Sequence, residues 1–387
     1  MNRPEDLDAL VNELNAEVPR SRAAAGDPGD GIQTARLRGW LADVVERNAS
    51  DLLLVAGAPP SIRVDGIITP LHEGPLGSDE IGDAVVPALP PHARKAFRDA
   101  GITDGSFRVP DLGRFRINLH HERGHAAAAI RRLPPAVPRF ASLGLPAGVE
   151  ALTRLPRGLV LVGGPTGSGK TTTLAALVNE INLRDAKHII TIEDPIEYEH
   201  QHRRSVVEQV EIGIDAPDFP TALRAALRQA PDVIVVGEMR DPETMQIAVT
   251  AGETGHLVFS SLHTTDVATT IARIADSFPV ERQNTIRQEL AMALAAVMTQ
   301  TLMPRVTPSG FTGLIPAAEL LMVGYGARQH VRKNALHHLH QEITITRKHG
   351  SFTLEESLTD LVARGLIDRK DAITRAVHPE ELERLLS

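Results

Sequence analysis

No cysteine occurs in the 387-residue chain, which removes disulfides, Cys-ligated zinc, iron–sulfur clusters and thiol catalysis together and suits a reducing compartment. No apolar run reaches the ~18 residues expected of a membrane span; stretches such as Leu290 to Met298 fall far short. The N-terminal stretch carries Glu5, Asp6, Asp8, Glu13 and Glu17 and lacks the apolar region of a signal peptide. A basic excess is missing too. With 41 Lys and Arg against 49 Asp and Glu, the net charge of −8 argues against a generic polyanion binder, because duplex affinity rests on cations that neutralise phosphates. These absences lead to the expectation of a cytoplasmic protein.

What is present is the composition of a folded globular protein, 42% hydrophobic and 23% charged. At ~100–200 residues per domain the length suits two or three domains. Residues 1–31 read as a flexible acidic arm, ending in the small-residue and glycine-rich run Ser21 to Gly31. Over 32–133 the pattern is α+β. A helix is expected through Trp40 to Arg47 and around Asp79 to Ala100. Strands are expected near Leu52–Val55, Ser61–Val64, Ile67–Leu71, Ile102–Val109, Arg114–His120 and Ala127–Arg131. The run Leu133-Pro134-Pro135-Ala136-Val137-Pro138 opens a linker over 134–142, because proline continues neither a helix nor an inner strand.

From 143 to 387 the apolar runs Leu159–Val162, Ile189–Ile192, Val233–Val236 and Leu257–Ser260 alternate with helical patterns. Such alternation marks a parallel sheet covered by helices on both faces. One further strand is expected at Leu314–Leu321, followed by a largely helical C-terminal portion.

The sharpest feature is Gly164-Pro165-Thr166-Gly167-Ser168-Gly169-Lys170-Thr171, a complete G-x-x-x-x-G-K-T pattern after an apolar strand and at the start of a helix, with Thr172 directly following. Glycines let the backbone curl so that its N–H groups point at phosphate, and the helix N-terminus favours negative charge. Lys170 is expected on the β- and γ-phosphates and the Thr171 hydroxyl on Mg²⁺. ATP is favoured over GTP, since no Lys stands in the Asn/Thr-Lys-x-Asp order that reads guanine.

Polar groups follow the other apolar strands: Glu193, Asp194 and Glu197 after Ile192, Glu238 after Val236, and His263 after Leu262. In an open parallel sheet, ligands bind outside the C-terminal strand edge. Hydrolysis needs a carboxylate to activate water, acids to order the metal's water shell and a group that senses the γ-phosphate. Glu197 and Glu238 are candidates for the first role, Glu193, Asp194 and Glu238 for the second, His263 for the third.

A competing motif, His121-Glu122-Arg123-Gly124-His125, spells H-E-x-x-H. On a helix it would aim two imidazoles at zinc, but the preceding strand-like alternation and Gly124 favour a turn between strands. His337, His338 and His340 lack metal-ligand spacing, and His256 is expected to buttress the strand that carries His263.

The glycine-rich loop, the acid box Thr191-Ile-Glu-Asp-Pro-Ile-Glu197, the segment Val233-Ile-Val-Val-Gly-Glu-Met-Arg-Asp241, and Ala251-Gly-Glu-Thr-Gly-His-Leu-Val-Phe-Ser-Ser-Leu-His-Thr264 together resemble the secretion ATPases of type II secretion, type IV pili and type IV secretion. The similarity runs from about Ala49 to the C-terminus and is strongest to members that drive pilus retraction and twitching motility. It implies a RecA-like P-loop NTPase core after a smaller PAS-like domain, an ATP- and Mg²⁺-dependent homohexameric ring, and force delivered to a membrane platform protein at the inner face of the membrane. No nucleic-acid partner is implied, and membrane association would come through the partner only. Another secretion or pilus-assembly role is the alternative, and a DNA translocase with Arg203, Arg204, Arg224 and Arg228 as basic groups is a more distant one. The resemblance also places phosphate-reaching arginines at Arg116, in Gly113-Arg-Phe-Arg-Ile-Asn118, and at Arg131, in Ile130-Arg-Arg-Leu-Pro134. Two positions depart from the retraction members: Leu53 in place of the usual His, and Gly326-Ala327-Arg328 in place of Ala-Ile-Arg.

Overall fold

The computed structural model describes residues 30–307 and 310–387; most of the predicted 1–31 arm lies outside them. The chain forms two compact units that divide between Ala136 and Val137, within the proline-rich stretch.

The first unit runs α1 (Asp30–Glu46), β1 (Asp51–Val55), β2 (Ser61–Val64), β3 (Ile67–Pro70), α2 (Ser78–Val85), α3 (Pro91–Ala100), β4 (Ile102–Val109), β5 (Gly113–Glu122) and β6 (His125–Arg132). Its strands form a six-stranded antiparallel sheet in the order β3-β2-β1-β6-β5-β4. Strand β5 shows why one face is wet. Phe115, Ile117 and Leu119 are buried in a core with Trp40, Leu41, Ile81 and Ile130, and the two-residue period of a strand turns Arg114, Arg116 and Asn118 to the opposite face. The H-E-x-x-H segment is the β5–β6 hairpin turn. Arg123 and Gly124 both take positive φ, 50° and 80°, as a two-residue primed turn requires, and no metal-binding cluster occurs among the described residues.

The second unit continues with β7 (Gly158–Gly163), α4 (Lys170–Arg184), β8 (His188–Glu193), β9 (Val206–Glu211), α5 (Phe219–Ala226), β10 (Val233–Val236), α6 (Pro242–Glu253), β11 (Leu257–Leu262), α7 (Val267–Asp276), α8 (Val280–Ala293), β12 (Leu294–Thr307) and β13 (Gly310–Met322). Its seven-stranded sheet has the order β13-β12-β7-β11-β10-β8-β9. All pairs are parallel except β12–β13. The four apolar runs are β7, β8, β10 and β11, and β7, β10 and β11 are buried along their whole length. One cluster built on α5 to α8 covers one face and a second, built on α4, covers the other. The architecture is the RecA-like α/β core with a parallel-dominated sheet.

Two strands escape the apolar-run criterion. β9, Val-Val-Glu-Gln-Val-Glu, is an edge strand with exposed positions, so it mixes apolar and polar residues instead of running apolar. β12 follows α8 without a break, and a short apolar run joined to a helix gives no periodicity that separates strand from helix. The C-terminal portion is helical: α9 (Tyr325–Arg332), α10 (Leu339–Ile345), α11 (Leu354–Ala363), α12 (Arg369–Arg375) and α13 (Pro379–Leu385). Its last three helices pack on Met303, Ile315 and Ala317 of β12 and β13.

Candidate active site

Strand β7 stops at Gly163 and α4 starts at Lys170, so the intervening loop wraps around the helix N-terminus. Gly164, Gly167 and Gly169 hold φ of 153°, 79° and 88°, values that disfavour any side chain with a Cβ. A Cβ on Gly164 would lie 2.6 Å from Gln300 O, and one on Gly163 would lie 2.6 Å from Thr264 Oγ1. The loop is therefore pressed against β12 on one side and the end of β11 on the other, at a helix N-terminus, where backbone amides favour an anion.

Lys170 is only 7% exposed. It donates to Gly164 O at 2.8 Å and Pro165 O at 3.0 Å. Burial lowers its pKa and nearby Glu238 opposes the shift. With two donors on carbonyls the ammonium keeps another for an anion. Thr171 is exposed in the first turn of α4, where its hydroxyl can meet a hard cation, and hydroxyl, carboxylate and phosphate oxygens are the donor set Mg²⁺ prefers.

The ends of β10 and β11 close on the same loop. Thr166 Oγ1 lies 3.3 Å from His263 Nδ1, His263 Nε2 lies 3.5 Å from Glu238 Oε2, and Arg240 pairs with the other oxygen of Glu238. The Glu238 hydrogen bond raises the Arg240 pKa, with Asp194 adding to it. Glu238 is held from behind, since Ser261 Oγ donates to Gly237 O and the Gly237 amide to Ile192 O. His256 Nδ1 sits 3.2 Å from Ala251 O just before β11.

From β8, Glu193 accepts from Thr191 Oγ1 at 2.7 Å and Gln209 Nε2 at 3.2 Å. Burial raises its pKa, and these hydrogen bonds pull the other way. Glu197 precedes Tyr198, whose phenol is 3.0 Å from Thr172 Oγ1 and ties the acid box to α4. Asp194 is exposed, Glu197 half-buried. No ion pair engages the Glu197 carboxylate among the described residues.

In the first unit, Arg116 and Arg131 are cross-strand partners on β5 and β6. Like charges placed so repel. Each has an acid beside it: Arg131 Nε donates to Asp51 Oδ1 at 2.8 Å, and Arg116 stands 4.0 Å from Asp104.

A family profile described as "Type II/IV secretion system protein" matches residues 138–376. The chain belongs to this family. Among its type II/IV secretion system relatives, the type IV pilus retraction ATPase PilT of Pseudomonas aeruginosa is 41% identical over 88% of this chain and 98% of its own length. A twitching motility protein of Neisseria gonorrhoeae is 40% identical over 85% and 87%. The crystal structure of the pilus retraction motor PilT with bound ADP superposes with a TM-score of 0.81 at 42% identity, covering 89% of this chain and 98% of that one.

Several side chains at the site of this type II/IV secretion system protein were not singled out by its sequence. Gln300 on β12 touches the loop, Tyr198 reaches α4, and Gln209 on β9 binds Glu193. The one sequence signal for Gln300 is the polar triplet Thr299-Gln300-Thr301 set between apolar residues.

Proposed function

We propose that the protein is an ATP-hydrolysing motor subunit that works as a homohexameric ring to power type IV pilus retraction and twitching motility, at the inner face of the membrane through a platform protein. The observation that carries this reading is the closure of Lys170, Thr166, His263 and Glu238 around one phosphate loop. The loop amides and Lys170 bind the phosphates of ATP, and Thr172 packs beside them. Thr171, with Glu193, Asp194 and Glu238 as acids for the water shell, would hold Mg²⁺, which when bound would supply Lewis-acid charge neutralisation.

Glu238 is committed to Arg240 and His263, which makes it a positioning carboxylate; Glu197, without such partners, takes the proton from the attacking water. His263, bonded to Thr166 of the loop, reports the γ-phosphate to β11. Arg116 and Arg131 bring positive charge to the phosphates, and an arginine delivered in this manner contributes ~10³–10⁵ in rate in other NTPases. Names and structures of relatives that are ATPases and pilus motors support this reading.

Phosphate release measured with and without Mg²⁺ tests it. Glu197→Gln should retain nucleotide binding and lose turnover, and Lys170→Ala should lose both. Parent-rate hydrolysis by Lys170→Ala would overturn the site. Light scattering with a non-hydrolysed ATP analogue checks ring assembly.

A further inference from the structure

Gln300 is 4% exposed and lies on β12, far from every motif in the sequence. Register places its neighbour Thr299 opposite Gly163, the last residue of β7, so Gln300 is the first β12 residue beyond the end of that strand. There it meets the loop. Its Nε2 donates to Ser168 O at 2.6 Å, and its Oε1 accepts from Thr173 Oγ1 at 2.8 Å. Its backbone carbonyl occupies the space a Cβ on Gly164 would need, and its amide nitrogen would sit 3.2 Å from a Cβ on Gly169. One buried side chain thus spans the loop and the first turn of α4, while its main chain fills the concavity behind Gly164.

The consequence is geometric. Phosphate binding by a loop depends on amides that all point inward at once. Each peptide plane couples a carbonyl to the following amide, so fixing Ser168 O also fixes the direction of the Gly169 N–H. A carbonyl bonded to Gln300 cannot rotate inward, where it would repel an anion. Thr173 Oγ1 keeps the Gln300 amide oriented, because the oxygen takes that hydroxyl and only the nitrogen is left for Ser168.

We propose that Gln300 is a positioning residue that holds the Ser168–Gly169 peptide in its phosphate-accepting orientation. The role rests on the nucleotide-site reading above and adds to it a residue from outside the loop and the strand-end motifs.

Three variants of the full chain test it, each read by ADP affinity, KM for ATP, kcat and amide hydrogen exchange of the loop in the absence of nucleotide. Gln300→Leu removes both hydrogen bonds at nearly constant volume. Loss of a buried hydrogen-bond partner of this kind corresponds to about tenfold or more in binding, so ADP affinity should fall and KM rise by that factor, with kcat within a few-fold of the parent. Loop exchange should accelerate. Thr173→Val leaves Nε2 in reach of Ser168 but frees its orientation, and should give a smaller shift in the same direction. Gln300→Glu puts an acceptor against Ser168 O at neutral pH and restores a donor when protonated, so its nucleotide affinity should recover towards the parent as pH falls.

Unchanged ADP affinity and loop exchange in Gln300→Leu, with the parent binding normally, would overturn the proposal alone. A lowered melting temperature with parental KM would do the same, since it marks a role in packing only. A parent that binds no ADP would overturn the nucleotide reading together with it. If Gln300→Leu does not fold, Thr173→Val and the pH profile of Gln300→Glu decide the matter.

Discussion

Replacing Gly164 with alanine is the most severe single-methyl perturbation the site offers, and Gly167→Ala is its internal control. Both glycines have positive φ, 153° and 79°, so each replacement carries backbone strain of ~1–3 kcal/mol. They differ in space. The added methyl at Gly167 meets nothing within 4 Å, whereas at Gly164 it meets Gln300 O at 2.6 Å and the Ser168 hydroxyl. Gln300 O belongs to a strand held there by its pairing with β13, where Gln300 stands opposite Ala318, and cannot retreat alone. Overpacking of this type adds ~1–3 kcal/mol. Gly164→Ala should therefore be destabilised by about 2–6 kcal/mol in total, or escape by displacing the loop from its cradle. At about 2–4 °C per kcal/mol for a domain of this size, the apparent melting temperature should fall by roughly 4–24 °C, against roughly 2–12 °C for Gly167→Ala. Thermal unfolding with and without ADP separates the outcomes: a displaced loop loses the ADP-induced rise, a strained but intact loop keeps it. Equal melting temperatures and equal ADP responses for the two variants would refute the packing argument.

Burial raises the Glu319 pKa from 4.5 to about 7, with Asp266 and Glu355 adding to the shift and the Val267 amide and His340 opposing it. A carboxyl whose folded pKa is the higher one takes up protons on folding, so the stability linked to it is intact below about pH 4.5, declines up to about pH 7 and then levels off. Glu319→Gln should flatten that decline, by at most roughly 3 kcal/mol; a pH–melting profile with unchanged slope would refute it. Arg131→Ala should cost about 0–1 kcal/mol of stability, because its side chain is 68% exposed and Asp51 retains Arg63 at 3.5 Å. If Arg131 acts on phosphate, its turnover should nonetheless fall by ~10³ or more; parental kcat would remove it from the site. Tyr198→Phe, which deletes the 3.0 Å bond to Thr172 and keeps the ring, should leave folding intact and weaken ATP turnover a few-fold, checked by steady-state kinetics alongside circular dichroism.

The loop from Gly164 to Thr171 was legible because it is local: its glycines, lysine and hydroxyl are adjacent in the chain, and the spacing alone prescribes a strand–loop–helix turn. Four of the five inner strands, β7, β8, β10 and β11, were legible for a related reason, as a strand buried on both faces must be apolar throughout. The same reasoning anticipated Glu238 and His263 beside the glycine-rich loop, since parallel strands deliver their C-terminal residues to one edge. The edge strand β13 was expected at Leu314–Leu321, but β9 and β12 were not legible. β9 mixes polar and apolar residues because part of it faces water, and β12 opens on an apolar run whose period cannot be told from the helix before it.

Periodicity and local motifs thus determined the class of sheet and which polar residues stand at its edge. Register determined the rest. That Gln300 stands behind Ser168, more than a hundred residues away in the chain, and that Arg116 and Arg131 are directly opposed on one sheet face, follow from how β12 aligns with β7 and β5 with β6. A one-residue slip in either pairing would turn these side chains to the other face. Such alignment is set by the summed packing of whole faces, and no local stretch of the chain encodes it.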